Sequence, residues 1–177
     1  MNNPQKLTSS IRLATPNDLR FLDALVNSAY RGNSSRKGWT TEADLLDGIR
    51  TDIDSLQKLI ADPAAVILNH IDQTGRIQGC VYLKKKENRL YLGMLTVSPS
   101  LQAKGIGKQL LAAAELYAAK QGCTSIVMTV ISVRNELIAW YRRHGYEPTG
   151  KTEPFPTDPK FGVPKQPLHF IELEKQL

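Results

Sequence analysis

The chain has 177 residues, a formal net charge of +6, 41% hydrophobic and 23% charged residues. That length suits one domain with a substantial core, and the composition is ordinary for a soluble globular protein. No stretch of about 18 apolar residues is present, so no membrane span is expected. The opening Met1-Asn2-Asn3-Pro4-Gln5 lacks a charged and then apolar leader, so no signal peptide is expected and the location is expected to be cytoplasmic. Cys80 and Cys123 fall in or beside predicted strands and read as reduced, buried thiols, neither a disulfide nor a metal pair. The positive balance raises nucleic acid as a partner. However, the Lys84-Lys85-Lys86 cluster is short and runs into a turn at Glu87-Asn88, with no zinc-finger spacing and no aromatic RNA-binding signature. Neither nucleic acid nor a membrane is expected as a partner.

Residues 1–9 read as a flexible tail and 10–177 as a single domain. Ile11-Arg12-Leu13 alternates as a first strand. Thr15-Pro16-Asn17-Asp18 opens a helix, with Thr15 as N-cap and Pro16 at its first position, and an apolar stripe runs to about Tyr30. Arg31 to Gly38 reads as a loop. Thr41-Glu42-Ala43-Asp44 reads as the cap of a second helix carrying Leu45, Leu46 and Ile49, and a short helical piece follows from Asp54 to Ala61. Three strands come next, at Ala65 to Leu68, Arg76 to Lys85 and Leu90 to Val97, separated by turns at Asp72-Gln73-Thr74-Gly75 and Glu87-Asn88. A helix is predicted from Gly105 to about Gln121, a strand from Thr124 to Val130 and a helix from Asn135 to His144, closed by Gly145. Tyr146 starts another strand, residues 153–167 form a proline-rich extended loop, and Leu168 to Leu173 alternates as the last strand.

The segment from Leu90 to Lys120 carries the chemistry. An apolar strand breaks into Gln102-Ala103-Lys104-Gly105-Ile106-Gly107 and opens a helix. The first N–H groups of a helix have no partner within it and attract anions, and glycines let a phosphate approach the backbone. Lys104 and Lys108 add positive charge. A P-loop would end in Gly-Lys-Ser/Thr, but Gly107-Lys108 is followed by Gln109; a dinucleotide fingerprint would place a third glycine at Leu110.

The strand ending Val97-x-Pro99 followed by Gln102-x-x-Gly105-x-Gly107 resembles motif A of the GNAT superfamily of acyl-CoA-dependent N-acetyltransferases. Tyr141-Arg142-Arg143-His144-Gly145-Tyr146 is similar to the Tyr-x-x-x-Gly-Phe ending of that family's motif B, with Tyr146 in place of Phe. The resemblance implies an α/β fold of the α+β kind: a mixed, mostly antiparallel sheet of about six or seven strands flanked by about four helices. The order would be β-α-α-β-β-β-α-β-α-β-β. It also implies acetyl-CoA as acyl donor, with no metal. Leu95, Thr96, Val97, Gln102, Ala103, Lys104, Gly105, Ile106, Gly107 and Lys108 would hold the cofactor. The central strand would splay from its neighbour to admit the pantetheine arm, and a backbone N–H near Leu95 would polarise the thioester carbonyl. Tyr141 would be the general acid toward the departing thiolate.

Two departures stand out. The family often has asparagine seven residues before that tyrosine; here that position is Arg134, and Asn135 follows as a candidate cofactor contact or helix cap. The central strand also carries no carboxylate or histidine, so any base must come from elsewhere, with Glu42 and Asp44 as candidates. His70, His144 and His169 are scattered and suggest neither a triad nor a metal site. The acceptor would be a primary amine of a small molecule, walled by Tyr30, Trp39 and Glu42 and by residues 153–167. Arg31, Arg36, Lys37 and Arg50 would suit an added carboxylate or phosphate. A peptide acceptor and a non-catalytic acyl-CoA-binding module are the alternatives, and the protein is expected to be a monomer or homodimer.

Overall fold

The computed structural model describes residues 9–177. The expected tail at residues 1–9 therefore lies, but for Ser9, outside the described residues. Strand β1 (Ile11–Leu13) leads into one 3-10 turn and helix α1 (Leu19–Tyr30), and a four-residue helix α2 (Gly32–Ser35) follows. After a two-residue strand β2 (Leu46–Asp47) come α3 (Ile53–Ala61) and the meander β3 (Ala65–Ile71), β4 (Ile77–Lys86) and β5 (Arg89–Val97). Helix α4 (Ile106–Lys120) crosses over to β6 (Ser125–Ile131), and α5 (Asn135–Arg143), β7 (Glu147–Pro154), β8 (Val163–Pro164) and β9 (His169–Gln176) complete the chain.

Seven strands form one sheet in the order β1-β3-β4-β5-β6-β9-β7, with β2 and β8 paired separately. Only β5 and β6 run parallel, as a connection through a crossover helix requires. This is the expected mixed, mostly antiparallel sheet. Its two faces carry two apolar clusters. One, with Leu90, Leu92, Leu110, Leu111, Ile126 and Tyr146, packs under α4 and α5. The other, with Leu22, Val26, Leu56, Ile67 and Met94, packs under α1 and α3. Gly79 lets α4 lie close on β4. A Cβ there would stand 2.8 Å from the Thr96 carbonyl and 3.1 Å from both Ile106 and Leu110, which is overlap with backbone.

Strand β5 contains the feature that creates the site. Cys80 pairs with Thr96 and Tyr82 with Gly93, so Val81 opposes two residues, Met94 and Leu95. This is a β-bulge, and Met94 takes a left-handed conformation (φ 52°) within it. The extra residue switches the facing of the strand. Leu90 and Leu92 face the α4 cluster, Met94 faces the α1 cluster, and Leu95 and Val97 return to the α4 side. Pairing of β5 with β6 stops at Tyr91–Val127, so the two strands part beyond it.

One expected element is absent. The helix predicted from Thr41 reduces to a single turn: the Leu45 and Leu46 N–H groups donate to the Glu42 carbonyl at 2.9 and 3.0 Å, and the chain then extends as β2. The Glu42 N–H donates to the Tyr30 carbonyl (2.9 Å), and its buried side chain is held between two arginines. Tertiary bonds at one residue thus override local helix preference. The short helix α2 occupies the expected loop instead. The helix after Thr15 starts as a 3-10 turn, in which the Asp18 carboxylate accepts from the Thr15 N–H (2.8 Å) and twice from Arg12 (2.7 and 2.8 Å).

Burial alone would raise the Asp18 carboxyl, but the Arg12 guanidinium and the Thr15 N–H together hold it below the usual carboxylate range. A lowered carboxyl contributes stability that is complete above the unfolded value near pH 4 and is lost as pH falls through the lowered value. Asp18→Asn is expected to cost about 2–3 kcal/mol at pH 7. That difference should shrink progressively below about pH 4, as checked by denaturant unfolding across pH.

Candidate active site

Two cavities open where β5 and β6 part. The first, about 510 Å³, lies between the end of β5, the start of α4 and one face of α5. Leu95 and Val97 line it from the strand, and Gln102, Ala103, Gly105, Ile106, Gly107 and Lys108 line it from the turn. Ala103 (φ 63°) and Gly105 (φ 85°) are both left-handed and fold the turn back so that α4 starts against the cavity. The first main-chain bond of α4 runs from the Gln109 N–H to the Gly105 carbonyl (3.0 Å). The N–H groups before Gln109 therefore have no intrahelical acceptor and are available to an anion. A Cβ at Gly105 would meet nothing within 4 Å, so the approach is open. A diphosphate fits this cradle by its chemistry: free backbone donors, a helix N-terminus and the nearby Lys108.

The second cavity, about 270 Å³, lies on the other side of the gap. Met94 and Leu95 line it from β5, and Met128 to Ile131 from β6. Arg31, Glu42, Arg50 and Arg134 bring charge to it, and Phe155, Phe161 and Phe170 form an aromatic wall. Tyr30, Leu95, Leu137 and Tyr141 line both cavities. These four residues form the junction. The Tyr30 hydroxyl donates to the Leu95 carbonyl, which fixes the bulged strand at that point.

Tyr141 is buried, with its ring edge-on to Trp140 (5.1 Å between centroids) and Tyr146 (5.8 Å). Its hydroxyl has no hydrogen-bond partner among the described residues and is free for a ligand. Burial pushes it well above its ordinary value, the neighbouring Tyr30 and Tyr146 push the same way, and Arg134 opposes them. It therefore stays a proton donor through neutral and mildly alkaline pH.

The remaining predicted residues sort differently. Thr96 is buried and bonds the Met94 carbonyl through its hydroxyl (3.0 Å), so its side chain supports the bulge and does not line the first cavity. Lys104 and Asn135 are exposed and line neither cavity; Asn135 is the first residue of α5. Gln102 acts through its amide: Oε1 accepts from the Trp39 N–H (2.8 Å), while Nε2 donates to the Val97 carbonyl (3.1 Å) and the Thr40 hydroxyl (2.8 Å). Gly38 makes room for it, since a Cβ there would stand 2.4 Å from Oε1. Trp39, expected on the acceptor side, lines the first cavity with Trp140, 6.2 Å between ring centroids. Glu42 does reach the second cavity, but each of its oxygens already accepts from a guanidinium, Arg31 at 3.1 Å and Arg134 at 3.2 Å. Asp44 is exposed and paired with Arg36.

Arg134, Trp140 and the three phenylalanines were not singled out as site residues from sequence. Arg134 had a signal, since it stands where the motif has asparagine. It uses that position to bind Glu42 and the Thr40 carbonyl (2.6 Å). Among the described residues no cluster of three or more His, Cys, Asp or Glu side chains is arranged for a metal, and no helix is long and apolar enough to cross a membrane.

Comparison with known proteins bears on the fold and the family. By sequence, no curated protein matches the chain. Among solved structures, it is similar to the ribosomal-protein-S18-alanine N-acetyltransferase of Escherichia coli, with a TM-score of 0.71 and 14% identity over 94% of this chain and 92% of that one. It is similar also to a nourseothricin acetyltransferase, with a TM-score of 0.68 and 17% identity over 94% and 96% of the two chains. A third, the PaiA N-acetyltransferase of Thermoplasma acidophilum in complex with coenzyme A, has a TM-score of 0.65 and 19% identity over 94% and 98%. These likenesses show the fold. Residues 33–146 match the model of the acetyltransferase (GNAT) family, and the chain belongs to that family.

Proposed function

We propose that the protein transfers the acetyl group of acetyl-CoA to the primary amine of a small molecule, by direct attack, with Tyr141 as general acid. The observation that carries this reading is the junction of two cavities at Tyr141 and Leu95, one with a phosphate cradle and one with a charged and aromatic lining. Acetyl-CoA supplies an activated thioester carbonyl. Leu95 and Val97 present strand backbone to the pantetheine arm, because β6 no longer pairs with them. The free N–H groups at the start of α4 take the diphosphate. A backbone N–H near Leu95 stabilises the developing oxyanion in this scheme. The amine nitrogen forms the new C–N bond as the C–S bond breaks. The Tyr141 hydroxyl donates toward the leaving sulfur, and the proton lost by the amine leaves through water. Glu42 does not take that proton in this scheme, because both its oxygens are occupied.

The small-molecule part rests on how the second cavity is closed. Pairing of Leu46 and Asp47 with Pro164 and Val163 ties the loop after β7 to the loop before α3. Arg31 bonds both, at the Ile49 carbonyl (2.8 Å) and the Phe161 carbonyl (2.9 Å). Lys165 adds its N–H to the Leu45 carbonyl and its ammonium to the Ala43 carbonyl. An extended peptide would need this stitching undone.

Saturating acetyl-CoA is expected to raise the melting temperature, since a ligand bound only to the folded state stabilises it. Tyr141→Phe should keep that shift and lower kcat by about 10²–10³. An unchanged kcat overturns the acid role, and absence of any thermal shift overturns the donor. The wild-type rate should rise with pH as the acceptor amine loses its proton, without an alkaline fall assignable to Tyr141 below about pH 10. Glu42→Ala, which strands two buried guanidinium groups, should cost about 3 kcal/mol or more of stability. Glu42→Gln should leave the shape of the pH–rate profile unchanged; loss of an acid limb would make Glu42 the base.

A further inference from the structure

We infer that the acceptor carries an anionic group in addition to its amine, and that Arg50 is the residue that selects it: the substrate class is a small amino acid or its close analogue. The inference rests on the amine-acetylation reading of the same cavity. Its starting point is a charge count. The second cavity is lined by three arginines, Arg31, Arg50 and Arg134, against one carboxylate, Glu42. Two of the three arginines are committed. Arg31 bonds Glu42 and the carbonyls of Ile49 and Phe161, and Arg134 bonds Glu42 and the Thr40 carbonyl. Together these two already neutralise Glu42 with one positive charge to spare. The Arg50 guanidinium has no carboxylate or carbonyl partner among the described residues. The other basic residues of this end are spent or elsewhere: Arg36 pairs with Asp44 at the surface, and Lys37 is exposed and does not line the cavity.

Arg50 is also held in position. Its N–H donates to the Asn27 side-chain oxygen (2.7 Å), and the Asn27 amide in turn donates to the Thr51 carbonyl (3.1 Å), which ties this backbone to α1. The guanidinium carbon lies 5.8 Å from the centroid of the Tyr30 ring. An arginine over an aromatic face keeps its in-plane N–H donors free for a bidentate anion. Tyr30 in turn touches the Leu95 carbonyl with its hydroxyl, at the junction of the two cavities. Tyr30 thus borders both the Arg50 guanidinium and the junction, which puts the anion-binding donors and the reacting end on one cavity. The cavity volume of about 270 Å³ holds an acceptor of about nine non-hydrogen atoms, at ~30 Å³ for each water-sized group. Phe155 and Phe170, stacked with centroids 5.3 Å apart, offer an apolar wall to its side chain. A polyamine would bring a second cation toward surplus positive charge and is disfavoured.

The test uses the purified protein, with acetyl-CoA for turnover and with coenzyme A for calorimetric binding. The panel is the α-, β- and γ-amino acids, each matched to its neutral amide and its decarboxylated amine, together with aminophosphonic acids and linear diamines. Wild type is expected to favour at least one acid over its amide by roughly ten- to a hundredfold in kcat/KM, the range of a lost charged hydrogen bond. Arg50→Gln should abolish that preference, mainly by raising KM for the acid far more than for the amide; Arg50→Lys should restore part of it. Preference for the carboxylate or the phosphonate series identifies which anion is used. Acetylation confined to neutral amines or diamines overturns this inference and leaves the acetyltransferase reading standing. An Arg50→Gln variant that melts like wild type and slows acid and amide equally also overturns it. If no amine is acetylated, Arg50-dependent binding of an amino acid still upholds the anion site while the reaction falls; no binding of any acid overturns both.

Discussion

The site depends on one extra residue in β5. Met94 and Leu95 face the single residue Val81. A left-handed, non-glycine residue in a strand costs roughly 1–2 kcal/mol. The surroundings hold it there. The Thr96 hydroxyl and, at longer range, the Cys80 thiol reach the Met94 carbonyl, while the Tyr30 hydroxyl takes the Leu95 carbonyl. With the bulge in place, Leu95 and Val97 turn to the face where α4 and α5 lie, and β5 leaves β6 after Tyr91. Without it, strict alternation would put Leu95 on the α1 side, and continued pairing would close the gap that separates the two cavities.

The loops around that gap are fastened by two polar hubs. Glu42, clasped by Arg31 and Arg134, joins the segment after α1 to the start of α5 and, through Arg31, to the loop after β7. The Gln102 amide joins the glycine turn to Trp39 and Thr40 and to the end of β5. Arg134 also bonds the Thr40 carbonyl, so the two hubs meet on one loop. Movement of residues 39–42 would therefore be felt in both cavities at once. This is why Glu42 reads as architecture, although a carboxylate near a reacting amine invites the reading of a base.

The turn that lines the first cavity was legible in the sequence down to its residue types; of the second cavity, Tyr30, Arg31, Glu42 and Arg50 were legible as residues, but not the bonds that arrange them. The turn from Gln102 to Lys108 is written in residue types that backbone geometry demands, glycine at Gly105 above all, so its spacing alone narrows the ligand. Strands and the long helix followed from alternation and 3.6-residue periodicity, which depend on burial of one face. Pairs far apart in the chain were not visible. Glu42 reads locally as a helix start because Thr41-Glu42-Ala43-Asp44 is a good cap, and only Arg31 and Arg134 reveal why the chain turns away. Trp39 was placed on the acceptor side because its loop borders that region. The Gln102 bonds that carry it to the donor cavity span more than sixty positions along the chain. The bulge left one faint mark, Gly93, since a lone glycine in a strand pattern points to a bulge or bend; Met94, which takes the left-handed conformation, carries none.

That asymmetry has a physical source. In the reaction we propose, donor recognition uses main-chain groups of β5 and of the first turn of α4, which depend little on side-chain identity. Acceptor recognition, in the same reading, uses side chains, and its sign is set by a count of charges. One more carboxylate opposite Arg50 would cancel the selectivity we infer without disturbing the sheet, the bulge or the phosphate cradle. The fold therefore constrains the acyl donor strongly and the acceptor weakly. An unpaired guanidinium at the wall of the second cavity is more informative about the substrate than the rest of the architecture, because nothing in the folded chain requires it to be left without a partner.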